Sequence, residues 1–344
     1  MQRRAFVRRG LSLIAPCMLG LPVLAQTPVP VHKRIVLLVD EIKAIRSFPV
    51  VLAERLGYFR DQGMDVAVMN IRDDVFHDKL LADGRIDAVM AYHHHNIVNH
   101  SKGMPSQSIV SLGITPGMRL LVAPHARERM RTAADLKGAR IITGGNNSSK
   151  TTVTNYLVRR AGFTFADYTR LPAYANEKAA AMLKDGEADL IMAPNPDDDY
   201  FLSRGLAFEF INLITPEDTR RHLGEVYPSN TIFMTTARIE QNPEIAQHLA
   251  NAFVRTLKYI NGRSAEELAA VIPPEIRGKY ASAYVKTLGE QMPMYAGNGL
   301  MSAKGAEGET QVFADFNPAY RGVKAEATYT NRFASEALAR YANG

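Results

Sequence analysis

The chain has 344 residues, of which 46% are hydrophobic and 22% are charged, and this length predicts two domains or one domain built as two lobes. The formal net charge of the chain is +6. Residues 1–25 contain four arginines and no acidic residue, so the rest of the chain carries +2. Such a weak positive charge excludes the basic surface typical of nucleic-acid binding. No apolar run outside the N-terminus reaches the roughly 18 residues that a membrane helix needs.

Residues 1–25 predict an export signal. Basic residues at the N-terminus precede an apolar segment over 11–24, and cleavage is expected near Ala25. Arg3 and Arg4 resemble the start of a twin-arginine signal, so both the Sec and the twin-arginine routes stay open. The single cysteine, Cys17, lies in this segment, which excludes disulfides, cysteine nucleophiles and thiolate metal sites from the mature chain.

From residue 33 onward, short apolar runs alternate with amphipathic helical patterns, which indicates an α/β fold. Strands are predicted at 34–39, 65–69, 86–92, 118–123, 139–143, 188–193, 208–213 and 231–236. Helices are predicted at 49–56, 74–82, 148–161, 177–184, 243–261 and 332–341. Residues 303–308, rich in glycine and polar side chains, are expected to be a flexible segment.

Four short motifs carry a resemblance to a known family. They are FPVVLAERLGYF at 48–59 followed by GMDV at 63–66, DGRIDA at 83–88, DLKGARI at 135–141, and NPE at 242–244. In this order and spacing they resemble the periplasmic solute-binding proteins that serve ABC importers of nitrate, sulfonates, taurine and thiamine-pyrimidine precursors.

The resemblance implies an α/β fold of two lobes, each a mostly parallel sheet flanked by helices, with a ligand cleft between the lobes. The chain would cross twice, with residues 33–120 starting lobe 1, 121–226 forming lobe 2, and 227–344 returning to lobe 1. It further implies a monomer in the periplasm that delivers a small, anionic ligand to an inner-membrane ABC permease.

Polar turns follow the predicted strands at 40–47, 93–96, 144–150 and 195–199. Because parallel sheets bind ligands beyond the carboxyl ends of their strands, these turns are expected to line the cleft. The candidate ligand-binding residues are Arg46, Ser47, Tyr92, His93, His94, Asn147, Ser148, Ser149 and Asn195.

Two of these turns allow alternative interpretations. Arg46 could clamp a carboxylate or sulfonate, or it could pair with Asp40 or Glu41. The sequence GGNNSSK at 144–150 could hold an anion at a helix N-terminus, or its serines could simply cap the helix. A phosphate loop is disfavoured because Ser149 stands where that motif needs glycine.

The acidic turn at 197–199 lacks the ligand spacing of a calcium loop. It is either a solvated turn or a wall of the cleft, with Asn195 or Asp197 facing the ligand. Tyrosines at 92, 174, 200 and 227 could stack on a flat ring.

Four histidines crowd the stretch AYHHHNIVNH at 91–100. A metal site would need a further ligand from elsewhere, and neither His32, His77 nor His125 stands in a ligand motif. Hydrogen bonding to a ligand, led by His93, is therefore preferred, and no catalytic residue, cofactor or metal ligand is expected. The alternatives are binding of a thiamine-pyrimidine precursor, a pyrimidine-synthase-like or metal-dependent enzyme on the same scaffold, and a periplasmic sensor.

Overall fold

A computed structural model describes residues 34–70, 77–173, 175–278 and 281–342. The predicted export signal, Tyr174 and the first residues of the helix predicted at 74–82 lie outside these ranges. Within the described ranges, none of the helices combines the length and the apolar character needed to cross a membrane.

Ten strands are formed by the described residues. They are β1 Ile35–Val39, β2 Val66–Asn70, β3 Ala88–Tyr92, β4 Ser106–Ser111, β5 Met118–Val122, β6 Arg140–Thr143, β7 Thr169–Pro172, β8 Leu190–Pro194, β9 Phe208–Leu213 and β10 Asn230–Thr235. Fourteen α-helices accompany them in the same ranges. They are α1 Phe48–Arg55, α2 His77–Ala82, α3 His94–Ser101, α4 Ser149–Arg160, α5 Asn176–Lys184, α6 Asp197–Leu202, α7 Pro216–Leu223, α8 Thr236–Gln241, α9 Pro243–Asn261, α10 Ala265–Val271, α11 Pro274–Arg277, α12 Ala281–Gln291, α13 Ala303–Phe316 and α14 Arg332–Arg340.

The strands form two five-stranded sheets with the same topology. The first has the order β2-β1-β3-β10-β4 and the second the order β7-β6-β8-β5-β9. In each, three neighbouring strands are parallel, and one antiparallel strand, β10 or β5, joins them to the edge strand. We call the first sheet with its helices the first lobe and the second sheet with its helices the second lobe.

Each lobe has its own apolar core. In β3 and β5 every residue is buried, as expected for strands covered by helices on both faces. The long helix α9 packs against α1 and α14 over the first sheet. Its buried face contributes Leu249, Phe253 and Leu257 to the core of the first lobe.

Two chain segments connect the lobes side by side. The first runs from β4 to β5, and the second from α7 to β10. Tyr227 N donates to Ile114 O at 3.0 Å, and Ser229 N donates to Gly113 O at 3.2 Å. Gly113 has no room for a side chain, because a Cβ there would lie 2.1 Å from Ser229 Oγ. The two connections therefore form a short paired hinge between the sheets.

The prediction of a flexible segment at 303–308 was wrong. These residues form the first turns of α13, whose N-cap Ser302 Oγ accepts from Gly305 N at 3.1 Å. The glycines that suggested flexibility allow close packing, since a Cβ at Gly305 would lie 2.8 Å from Val226 O and one at Gly308 would lie 2.2 Å from Tyr156 Oη. Helix α13 thereby packs against both α3 and α4, one in each lobe.

The strands β4 and β7 were not predicted. β4 is rich in serine, a residue that does not favour strands by itself. Its serines are buried because they hydrogen-bond with polar side chains of the neighbouring helix and strand. Ser108 Oγ donates to Thr231 Oγ1 at 2.8 Å, and Ser106 Oγ donates to Asn96 Oδ1 at 2.6 Å.

Candidate functional site

The turns predicted to line a cleft meet between the two lobes. His94, in the first turn of α3, brings its Nε2 to 3.1 Å from the carbonyl oxygen of Asn147, which precedes α4 in the second lobe. The Asn147 side chain accepts from Tyr320 Oη at 3.0 Å. Asn147 therefore joins the second lobe both to α3 and to the C-terminal segment.

Arg46 and Lys150 approach each other from opposite lobes. Arg46 Nη2 lies 3.0 Å from Asp40 Oδ2, as one of the two interpretations of this loop predicted. Burial disfavours the charge of Arg46, but the combined effect of Asp40, Tyr92 and Glu41 outweighs it, so the pKa of the guanidinium is raised. The buried Arg46 Nε has no hydrogen-bond partner among the described residues, so one face of the guanidinium is left for another acceptor.

Lys150 lies in the first turn of α4 and is half-buried. Burial lowers the pKa of its ammonium, Asp197 opposes this effect, and the nearby Arg46 adds to it. Within the described ranges Lys150 Nζ forms neither a hydrogen bond nor an ion pair. Arg46 and Lys150 thus lie near each other in the cleft, and the nearby Asp197 forms no ion pair with Lys150.

The glycine-rich turn before α4 places backbone and side chain close together. Ser148 is the N-cap, and its Oγ accepts from Thr151 N at 3.2 Å, the capping role that was one of the open alternatives. A Cβ at Gly144 would lie 2.3 Å from Ser148 Oγ, so only glycine fits there. Ser149 is half-buried at the start of the helix.

Ser47 and Tyr92 hold backbone segments at the cleft. Ser47 Oγ donates to Glu41 O at 2.6 Å and closes the turn after β1. Tyr92 Oη donates to Pro116 O at 2.8 Å, in the first connection between the lobes. Burial raises the pKa of the Tyr92 hydroxyl, with a smaller opposing effect from Arg46, so the phenol stays neutral.

His93 lies inside the first lobe, and both of its ring nitrogens are occupied. Nδ1 is 3.0 Å from Ser108 Oγ, and Nε2 is 3.0 Å from Thr328 Oγ1. Burial lowers the pKa of His93 to about 3, so the ring is neutral. His93 accordingly links β3 to β4 and to the C-terminal segment.

His94 keeps one ring atom free. Burial lowers the pKa of His94 to about 4, against the opposing effect of its bond to Asn147. Its Nδ1 is buried and has no hydrogen-bond partner among the described residues. The ring is stacked between His95 and Phe313, at centroid distances of 4.4 and 5.8 Å.

The acidic turn after β8 is the start of α6 and is not simply solvated. Asp198 is fully buried and pairs with Arg119 of β5. Asn195 is buried as well, and its Nδ2 donates to Asp199 Oδ2 at 3.2 Å. Arg119 is also 3.0 Å from Glu209, so this arginine is already neutralised by carboxylates of its own lobe.

A group of buried polar residues lies near Tyr92 and the hinge, and sequence reasoning had named only Tyr227 among them, as a stacking surface. Tyr227 Oη, Ser229 Oγ, Asn230 Oδ1 and both carboxyl oxygens of Glu309 are buried without a hydrogen bond of normal geometry among the described residues. Asn230 Nδ2 donates to Arg46 O at 3.4 Å, and Glu309 lies close enough to Tyr92 and Tyr227 to influence their pKa values. No sequence motif marked Glu309, because α13 brings it here from a distant part of the chain.

The family model described as NMT1/THI5 like matches residues 45–266 of this chain. The chain belongs to the NMT1/THI5 like family. No curated protein matches its sequence.

Solved structures of several proteins share the two-lobed fold. A protein of Bordetella bronchiseptica RB50 is 24% identical with a TM-score of 0.76, and the alignment covers 91% of this chain and 99% of that one. The periplasmic sulfonate-binding protein SsuA of Methylobacillus flagellatus KT is 16% identical with a TM-score of 0.68, covering 91% and 96%. The periplasmic nitrate-binding protein NrtA of Synechocystis PCC 6803 is 13% identical with a TM-score of 0.68, covering 89% and 88%. At these identities the likeness concerns the fold and confirms the predicted fold class.

Proposed function

We propose that this protein is the periplasmic solute-binding component of an ABC importer and captures a small organic anion, of the sulfonate or carboxylate type, by closure of its lobes. The NMT1/THI5 like family and the fold shared with SsuA and NrtA support a binding role. We propose that it acts as a monomer and passes its ligand to an inner-membrane permease.

The observation that carries this proposal is the pair of cations contributed by opposite lobes. Lys150 is half-buried without an ion-pair partner among the described residues, and Arg46 Nε is buried without a hydrogen bond. A partly buried ammonium without an ion pair and a buried N–H without an acceptor both cost free energy, and an anion between Lys150 and Arg46 would reduce that cost. The N-terminus of α4 adds a partial positive charge at the same place.

Such an anion would also favour the closed arrangement. A ligand held by Arg46 of the first lobe and Lys150 of the second contacts both only when the lobes are together. Ligand binding therefore shifts the population toward closure by its differential contacts. Each charge-assisted hydrogen bond contributes about 1.5–3 kcal/mol, so a few of them suffice for micromolar affinity before the cost of closure.

The test is calorimetric titration of the chain without residues 1–25 against taurine, alkanesulfonates, aromatic sulfonates, aromatic carboxylates, nitrate and a thiamine-pyrimidine precursor. We expect micromolar binding of at least one organic anion. Lys150→Ala and Arg46→Ala should each weaken that binding about 10- to 100-fold, because each removes one charge-assisted contact. Absence of heat with every anion in the panel would contradict the proposal.

A matched control separates a local contact from a general charge effect. Lys184→Ala removes an exposed lysine at the end of α5 in the same lobe and should leave the affinity within about twofold, as expected for a screened surface charge.

Mass spectrometry of the ligand recovered after incubation with the protein distinguishes binding from catalysis, and it should show an unchanged ligand mass. A changed mass would favour the enzyme alternative.

A further inference from the structure

A compact group of donor atoms lies beside the cleft in the first lobe. His77 and Asp78 begin α2, and His95 lies in the first turn of α3. His77 Nε2 is 3.1 Å from His95 Nδ1 and 2.9 Å from Asp78 Oδ1. One ligand atom from each of the three residues lies within 4.8 Å of the other two.

Together these three atoms carry too few protons for both of their contacts to be ordinary hydrogen bonds. A neutral imidazole carries a single proton, so either His77 Nε2 or His95 Nδ1 can donate across their 3.1 Å contact. If His95 donates, the lone pairs of His77 Nε2 and Asp78 Oδ1 face each other at 2.9 Å. If His77 donates, one proton must serve two acceptors. A cation at the centre of the group resolves this conflict.

The surroundings hold the donors in place. The His95 ring stacks on His94 at a centroid distance of 4.4 Å and on Phe233 at 6.4 Å. Lys102 Nζ lies 3.1 Å from Asp78 Oδ2, and the Asn99 side-chain amide donates to both carboxylate oxygens of Asp78 at 3.2 and 3.3 Å.

Two of the three donor spacings suit a small transition-metal ion. With metal–ligand distances of about 2.0–2.1 Å, neighbouring donors of a tetrahedral zinc site lie roughly 3.3 Å apart. The contacts of His77 at 3.1 and 2.9 Å are close to this spacing. Two imidazoles and one carboxylate are ligands that zinc and related divalent ions accept, with a further position open to water.

We propose that His77, Asp78 and His95 bind one divalent transition-metal ion, with Zn²⁺ as the preferred occupant. The sequence analysis disfavoured a metal site, because His77 stands in no ligand motif and lies 18 positions before His95. Folding supplies the missing ligands by placing the start of α2 next to the start of α3. This site is separate from the Arg46 and Lys150 pair and does not depend on the function proposed above.

The test uses untagged protein stripped of metal with a chelator. Calorimetry with Zn²⁺ should show one site with micromolar or tighter affinity. Co²⁺ should give the visible absorption of a four- or five-coordinate ion with nitrogen and oxygen ligands. His95→Ala and Asp78→Asn should each weaken Zn²⁺ binding at least 100-fold. His222→Ala, which changes a histidine of α7 in the second lobe, should have no effect.

Two further measurements keep the proposal open to refutation if a variant misfolds. X-ray absorption at the zinc edge of the wild-type protein should show two imidazole ligands. Lys102→Ala should tighten Zn²⁺ binding severalfold, because it removes a positive charge next to the ion. A wild-type protein that takes up no Zn²⁺, or that binds it equally well in the His95 and Asp78 variants, would overturn the site.

Discussion

At the scale of single residues, Glu309 has the most unusual environment in the cleft. Its carboxyl group is fully buried on α13, without a hydrogen bond of normal geometry among the described residues. Burial raises the pKa of Glu309 to about 8, and the neighbouring Tyr227 hydroxyl opposes this effect only weakly. Glu309 is therefore protonated in the folded protein at neutral pH.

This protonation makes stability depend on pH. Between the ordinary carboxyl pKa of 4.5 and about 8, the folded state holds a proton that the unfolded state has lost. Stability therefore falls as pH rises through this range. Glu309→Gln keeps the shape without the ionisable group, so it should be more stable than the wild type at pH 8 by roughly 2–5 kcal/mol, with little difference near pH 4.5. Urea denaturation of both proteins at pH 4.5, 6 and 8 measures this.

The control for this prediction is Glu307→Gln, which changes an exposed carboxylate on the same helix. It should follow the pH dependence of the wild type. Equal slopes for the Glu309 and Glu307 variants would mean that Glu309 is ionised in the folded protein.

At the scale of secondary structure elements, the N-terminus of α4 combines two roles that the sequence could not separate. Ser148 caps the helix through its hydroxyl group, while the neighbouring Lys150 faces the cleft. The pattern GGNNSSK predicts a helix start correctly, because capping depends on residues within one turn. It does not predict which side chains are without an ion-pair partner, because the charges near Lys150 come from Arg46 and Asp197 in other elements.

Two substitutions of Ser148 distinguish capping from anion binding. Ser148→Ala should lower the free energy of unfolding by about 1 kcal/mol and change anion affinity less than threefold. Ser148→Asp retains a good cap, so its stability should stay near that of the wild type, but its negative charge should weaken anion binding at least tenfold. Thermal unfolding and calorimetric titration of the two variants check both effects.

Thr215→Ala provides the comparison, because Thr215 caps α7 in the same lobe through a bond to Asp218 N at 3.1 Å. It should lower stability by a similar amount without any change in affinity. If Ser148→Asp binds the anion as tightly as the wild type, the ligand does not approach this helix terminus.

At the scale of the whole molecule, polar contacts across the cleft hold the lobes together. Besides the bond between His94 and Asn147, Arg119 Nη2 of the second lobe lies 3.6 Å from Glu290 Oε2 of α12. Thr287 Oγ1 of the same helix donates to Asp199 Oδ2 at 3.3 Å. Leu288 of α12 packs in the core of the first lobe, so these contacts with the second lobe form only when the lobes are close.

Glu290→Gln should therefore favour the open arrangement. Glu290 is partly exposed, so its ion pair with Arg119 contributes at most about 1 kcal/mol, and ligand affinity should fall two- to fivefold. Small-angle X-ray scattering of the ligand-free variant should show a larger radius of gyration than that of the wild type. Glu217→Gln, which breaks an ion pair with Arg221 inside one lobe, should change neither quantity. An unchanged scattering profile for Glu290→Gln would show that this contact does not control closure.

The sequence by itself determined the alternation of strands and helices and the places where strands end. Residues 208–213 and 243–261 form the predicted strand and helix with the predicted bounds, because periodicity and terminal signals are local properties. The motifs at 48–66, 83–88, 135–141 and 242–244 also indicated the family.

Only the tertiary structure decided which polar side chains are partners. The two ring nitrogens of His93 lie within hydrogen-bonding distance of Ser108 and of Thr328, which is 235 positions away. His77 in turn contacts His95. Such pairings depend on how whole elements pack, and a buried polar group must take the partner that packing provides. A cluster of histidines in one loop thus became a structural link at His93, an inter-lobe contact at His94 and a proposed metal ligand at His95.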